Sequence, residues 1–198
     1  MRTTASWTTA LFALVCVSPL RAHHSSSMFD ETRPTWVKGT VVRYDRINPH
    51  VMFALEQKQE DGQARQWIVE GASLLRHEQR GIPADILKVG DVIEVCGFPF
   101  KQEIGARFSP APAPGVVRPA LHGKLLVQPD GHLRIWGPYG ALGNCIRPSD
   151  RAQQWLDALN ADQWGRETWC SARGFAIAPA ASRTLVDDIN RRMAARCE

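Results

Sequence analysis

From His50 onward the chain alternates. Val51, Phe53 and Leu55 are apolar, and between them stand His50, Met52, Ala54 and Glu56. Successive side chains of a strand point to opposite faces, so alternate residues share one. One face of this stretch is therefore apolar, and the other carries an imidazole and a thioether side by side. Asn48-Pro49, just before it, is a turn signal, and the proline biases Asn48 toward an extended backbone. The alternation predicts a strand over residues 51–58. Residues 35–45, with Trp36, Val37, Val41, Val42 and Tyr44, predict an earlier strand from their β-branched and aromatic content. Residues 64–70, with Trp67, Ile68 and Val69, predict a third, joined to the second through an Asp61-Gly62 hairpin turn.

The period then changes. Ser73 is placed to cap a short helix, Leu74 and Leu75 to face inward, and Gly81 to end it. A tight turn at Lys88-Val89-Gly90-Asp91 leads into a fourth strand over 92–98, with Ile93 and Val95 on its apolar face. Residues 109–119 hold four prolines and one glycine and read as a loop. Pro129-Asp130-Gly131 is a second hairpin signal, between strands over 124–128 and 132–136. Two helices follow by spacing. One covers about 150–159, with Trp155, Leu156 and Leu159 on one face. The other covers about 183–196, with Leu185, Ile189 and Met193 four apart. There is no internal repeat.

Three strands, a helix and two or three further strands is the order of a small OB-like barrel, closed or partly open. The chain is therefore expected to be mainly β, with a helical C-terminal extension. Its division is a leader at 1–22, a β-domain at 23–108, a Pro-rich loop at 109–119, and a hairpin plus helices at 120–198.

Composition adds a compartment. Residues 1–22 have a basic start at Arg2, an apolar run from Ala10 to Val17 and a small residue at Ala22, the pattern of a secretory signal. The run is too short to span a bilayer, and no later stretch is long and apolar enough. The expected location is periplasmic or secreted. Removal of Arg2 and Arg21 leaves 22 basic against 20 acidic residues, a charge of +2. That is too weak and too scattered to argue for nucleic acid. Cleavage also removes Cys16 and leaves Cys96, Cys145, Cys170 and Cys197. An even number in an exported chain suggests two disulfides. Three pairings are open, and sequence does not choose among them. We expect Cys96–Cys145, tying the strand region to the extension, and Cys170–Cys197, closing the end of the chain. No two cysteines stand at zinc-ligand spacing.

A series of short motifs runs through the first half: His23-His24-Ser25, Met28-Phe29-Asp30, Gly39-Thr40-Val41, Asn48-Pro49-His50, Val89-Gly90-Asp91 and Cys96-Gly97. Together they resemble the DUF6152 family of exported bacterial proteins of unknown function, over about residues 22–100. The resemblance implies export and a small β-domain, and carries no activity with it.

The candidate chemistry is metal binding. Cleavage after Ala22 would leave His23 first, with an α-amine and an imidazole on one residue. An amine titrating near ~8 and an imidazole near ~6.5 both supply neutral nitrogens near neutral pH. A third nitrogen from His24 or His50 makes the set that copper(II) favours. This looks like the histidine brace of copper oxygenases and copper carriers. Cleavage after Arg21 would instead place His24 third, as in the amino-terminal copper–nickel motif. The competing reading is a solvated chain end. His50 and Met52, on one strand face, suit copper(I). They are similar in kind to the site of OB-fold periplasmic copper carriers, with Met28 and Trp36 or Trp67 as completing residues. The competing reading has Met52 filling a gap under a loop and His50 capping the Asn-Pro turn.

His77, His122 and His132 read as surface residues. Trp136-Gly137-Pro138-Tyr139-Gly140 is a third candidate, for sugars, apolar ligands or a partner strand. Trp155, Trp164 and Trp169 are expected to cover one end of the barrel. Nucleophile-elbow, phosphate-loop and dinucleotide patterns are absent from the sequence. The leading expectation is a copper-binding exported protein using His23, His24 and His50, with Met28 and Met52 as secondary ligands. The alternative is a metal-free module that docks a protein partner or a small ligand, and an oxidative copper enzyme is a third.

Overall fold

A computed structural model describes residues 28–101, 118–137, 142–146, 152–172, 174 and 183–198. The expected leader, His23 and His24, most of the Pro-rich stretch and Tyr139 lie outside the described residues.

Among the described residues, six strands form one sheet: β1 (Thr35–Asp45), β2 (Met52–Lys58), β3 (Ala64–Glu70), β4 (Val92–Pro99), β5 (Ala120–Val127) and β6 (Leu133–Ile135). Their order is β3-β2-β1-β4-β5-β6, and β3 also pairs with β5. That last pairing is parallel, with Ile68 opposite Ala120 and Glu70 opposite His122. It closes β1–β5 into a five-stranded barrel and removes the two edges that an open sheet would expose. β6 hangs on β5 outside the ring. The fifth barrel strand thus comes from beyond the Pro-rich stretch.

The connections follow the turn chemistry. Gly62, Gly90 and Gly131 adopt positive φ at the three tight turns, a conformation that costs a side-chain-bearing residue energy. Ser73 caps α1 (Leu74–Gln79), its hydroxyl accepting from the Arg76 amide at 3.3 Å. α1 fills the link between β3 and β4. It does not bury both leucines: Leu74 packs against the core, but Leu75 is 60% exposed. The inward position belongs to His77, three residues after Leu74 and so on the same face of the helix.

The described residues form two hydrophobic cores. The inner one fills the barrel with Val37, Val41, Phe53, Leu55, Val69, Ile93, Val95, Leu121, Leu126 and Trp136. Trp136 is wholly buried, so it is a core residue and not an exposed aromatic of a binding loop. It meets Phe53 edge-on at 5.3 Å and His77 edge-on at 4.4 Å. Two glycines make room for it. A Cβ on Gly71 would stand 2.4 Å from the indole nitrogen, and one on Gly123 would stand 3.0 Å from the ring.

The second core lies between the outside of the barrel and the C-terminal helices α2 (Ala152–Ala161), α3 (Gln163–Ala172) and α4 (Arg183–Ala194). Cys96, Phe98, Leu125, Val127, Leu133 and Ile135 meet Trp155, Leu156, Leu159, Trp169, Val186, Ile189 and Met193 there. The helices therefore cover the wall made by β4, β5 and β6 and not an end of the barrel. α3 was not foreseen from the sequence. Its segment, Gln163–Ala172, contains a glycine and lacks a clear apolar repeat. The side chain of Trp164 is outside the described residues.

Both expected disulfides are present, Cys96–Cys145 and Cys170–Cys197. The first ties β4 to the turn before α2, and the second ties α3 to the chain end. Arg80 adds a polar tie. Its guanidinium is buried, donates to the Gly137 carbonyl at 2.8 Å and stands 4.0 Å from the Asp162 carboxylate.

Candidate functional site

The site is best seen from the outer face of β2, β3 and β5. Phe53, Leu55, Val69 and Leu121 point into the barrel. By alternation, Met52, Ala54, Ile68, Glu70, Ala120 and His122 point outward. Register sorts these into rows. Met52 stands opposite Glu70, and Glu70 opposite His122. In the next row Ala54 stands opposite Ile68, and Ile68 opposite Ala120. The first row is polar and the second is small and apolar.

His50 joins the polar row. The chain turns through a cis Asn48–Pro49 peptide bond, and Val51 is then fixed by backbone bonds to Gly71 and Ala72. His50 Nδ1 makes an ion pair with the Glu70 carboxylate. The hydrogen bond to Glu70 raises the His50 pKa above its ordinary value. Burial opposes that shift, and the Glu70 charge and a backbone hydrogen bond at Gly71 add to it. A carboxylate on a histidine ring also orients the imidazoles of many metal sites.

His122 closes the other end of the row. It is buried rather than exposed, and its Nδ1 has no hydrogen-bond partner. Burial lowers its pKa to about 3, with Lys124 and His50 adding to the effect. The reason for the burial is Phe29, whose ring stacks on His122 with centroids 4.1 Å apart. The segment around Phe29 is pinned along the end of β4. Asp30 N–H donates to the Pro99 carbonyl at 2.9 Å, and Lys101 N–H donates to the Met28 carbonyl at 3.0 Å. The N-terminal side of the described chain is thereby delivered to the row that holds Glu70 and His50.

The other expected ligands are placed differently. Met28 is half-buried against the second core. Met52 lines a groove over the apolar row. Trp36 packs on the second core, and Trp67 belongs to the barrel core, where its indole N–H donates to Gln57 at 2.9 Å. Neither tryptophan completes the His50 face. Among the described residues, no three His, Cys, Asp or Glu side chains come together as a metal-binding group.

Of the histidines read as surface residues, only His132 is one. It pairs with Asp130 at 2.9 Å on the β5–β6 turn. His77 is wholly buried, and neither ring nitrogen has a hydrogen-bond partner. Burial lowers its pKa to about 4, and the charges of Arg80 and Arg46 act in the same direction. Its edge-on contact with Trp136 explains how a core accepts it, since a ring edge is attracted to an indole face.

The groove is the other feature of this wall. It has a volume of 450 Å³ and is lined by Val42, Ile47, Met52, Ala54 and Ile68, with Arg118 at its margin. Ile47 is 51% exposed at its mouth. Arg43 and Asp45 also line it but neutralise each other at 2.7 Å.

Residues 12–107 match the model of DUF6152, a family of unknown function. No curated protein matches the chain. Among solved structures it is similar to the mitochondrial single-stranded DNA binding protein Rim1 of S. cerevisiae. That match has 8% identity and a TM-score of 0.32, over 48% of this chain and 90% of that one. No helix among the described residues is long and apolar enough to cross a membrane.

Proposed function

We propose that this is an exported copper-binding protein whose site forms where the N-terminal segment meets the polar row of the barrel wall. His50 supplies one imidazole, oriented by Glu70, and His23 and His24 supply nitrogens from the processed chain end. Met52, in the same row as Glu70, is a secondary ligand, and Met28 would have to leave its packing on the second core to join it. The supporting observation is the stack of Phe29 on His122. It brings the chain to the row of Glu70 and His50 only six residues after His23. Six extended residues reach ~20 Å, enough to return to that row. The two disulfides suit an oxidising compartment, which is where an exported protein works.

The test is a copper titration of purified mature protein whose first residue is fixed by intact mass. One tight equivalent is expected, weakened at least tenfold in His50→Ala and in a form lacking His23 and His24. Binding that neither change affects would remove the proposed site.

A second reading, a metal-free module that docks a partner or small ligand on the barrel face, is favoured by the 450 Å³ groove beside the polar row.

A further inference from the structure

The groove has one feature that its walls do not explain. Arg118 precedes β5 and reaches the margin of the groove beside Gln66. Its Nε is buried and has no hydrogen-bond partner. A buried guanidinium nitrogen without an acceptor has lost water and received nothing in exchange, so an acceptor placed there is favoured. Arg43 and Asp45, the other charges of the lining, satisfy each other. Among the described residues, Arg118 Nε is therefore the unsatisfied donor of the lining, and it belongs to a cation.

Apart from Gln66, the rest of the lining is apolar. Val42, Met52, Ala54 and Ile68 sit on three adjacent strands, and Ile47 stands exposed at the rim. Ala54 is small enough to leave the floor concave. A volume of 450 Å³ lies within the about 300–1,000 Å³ typical of small-molecule sites. Guanidinium recognises a carboxylate with two parallel hydrogen bonds and strong geometric preference.

We infer that the groove binds a small apolar carboxylate, the class to which a medium-chain fatty acid belongs. The chain lies over Val42, Met52, Ala54 and Ile68, and the carboxylate accepts from Arg118. This deepens the docking reading and does not depend on copper. The lining uses none of His23, His24 or His50 and shares only Met52 with the proposed copper site.

The experiment is calorimetry on metal-free mature protein with three probes of equal chain length: decanoate, decanol and decylammonium. Decanoate is expected to bind at least tenfold more tightly than decanol, and decylammonium more weakly than either. Arg118→Gln is expected to remove the preference for decanoate while leaving decanol binding and the circular dichroism spectrum unchanged. A second variant, Ile47→Ser, changes only an exposed wall and is expected to weaken decanoate and decanol alike. Equal binding of decanoate and decanol, or a preference that survives Arg118→Gln, overturns the carboxylate assignment while the docking reading stands. Absence of binding by all three probes removes both.

Discussion

The rings of Phe29 and His122 stack with their planes 29° apart and their centroids 4.1 Å apart. This contact joins the segment leading back to the N-terminal histidines to the strand that closes the barrel. His122 lies opposite Glu70 across the parallel seam, and Glu70 holds His50. Phe29→Ala is therefore expected to do two things. It should cost about 3–5 kcal/mol, the usual effect of deleting a buried phenylalanine, reduced toward the lower figure by the position of Phe29 at the edge of its core. In the folded fraction it should also weaken copper binding several-fold without touching a ligand. Denaturant unfolding measures the first effect and a copper titration the second.

Removal of the disulfides should separate their roles. Cys96 and Cys145 are fully buried and span 49 residues, whereas Cys170 is half-buried and its bridge spans 27. Longer loops lose more chain entropy when cross-linked, and each bridge is worth roughly 2–4 kcal/mol. The double variant Cys96→Ala with Cys145→Ala should lose more stability than Cys170→Ala with Cys197→Ala. Thermal unfolding of both pairs gives the comparison. An intact mass four hydrogens below the reduced value, for two bridges, should precede it.

Acid should unfold the protein partly through His77. Burial holds its pKa at about 4 in the folded chain, against an ordinary value of 6.5. Above pH 6.5 both states carry a neutral ring, and this contribution is fully present. Between 6.5 and 4 the unfolded chain takes up a proton that the folded one refuses, so stability falls as pH falls. The shift corresponds to roughly 3 kcal/mol. His77→Phe should flatten the acid limb of a stability-versus-pH curve over that interval, and an unchanged limb would show that His77 opens to solvent on protonation.

Gly71 tests the fit of the barrel core. A Cβ at this position meets the Trp136 indole at 2.4 Å, and Trp136 is wholly buried with no open side to move into. Gly71→Ala should cost about 1–3 kcal/mol by overpacking. Gly71→Ala combined with Trp136→Phe should recover part of that loss, because a smaller ring vacates the contact. Unfolding free energies of the two single variants and the double decide it.

Much of the barrel was legible because its strands announce themselves locally. β1 and β3 have the predicted bounds, and the positive-φ glycines of the three turns stand where Asp-Gly and Gly-Asp placed them. The alternation of Val51, Phe53 and Leu55 gave the inner face of β2 directly. The parallel seam was not legible. Its residues are more than fifty positions apart, and Ala120 to Gly123 include a histidine and a glycine, which weaken a strand signal. The buried histidines were missed for a related reason. His77 is inward because Leu74, not Leu75, sets the helix face, and His122 is covered by a phenylalanine ninety residues away. Polarity marks a residue as exposed only when nothing remote comes to cover it. At the candidate site, the shared face of His50 and Met52 was readable from period two. Glu70, which fixes His50, was not, because that pairing depends on strand register.

Pulsed electron paramagnetic resonance of copper(II)-loaded mature protein, alongside its His50→Ala variant, bears most directly on the copper site. Remote imidazole nitrogens modulate the echo, one set for each histidine bound. The wild-type spectrum should contain a contribution from His50 in addition to that of the processed chain end, and the variant should lose it. Identical modulation in the two proteins would place the metal, if it binds, away from the barrel wall and contradict the site.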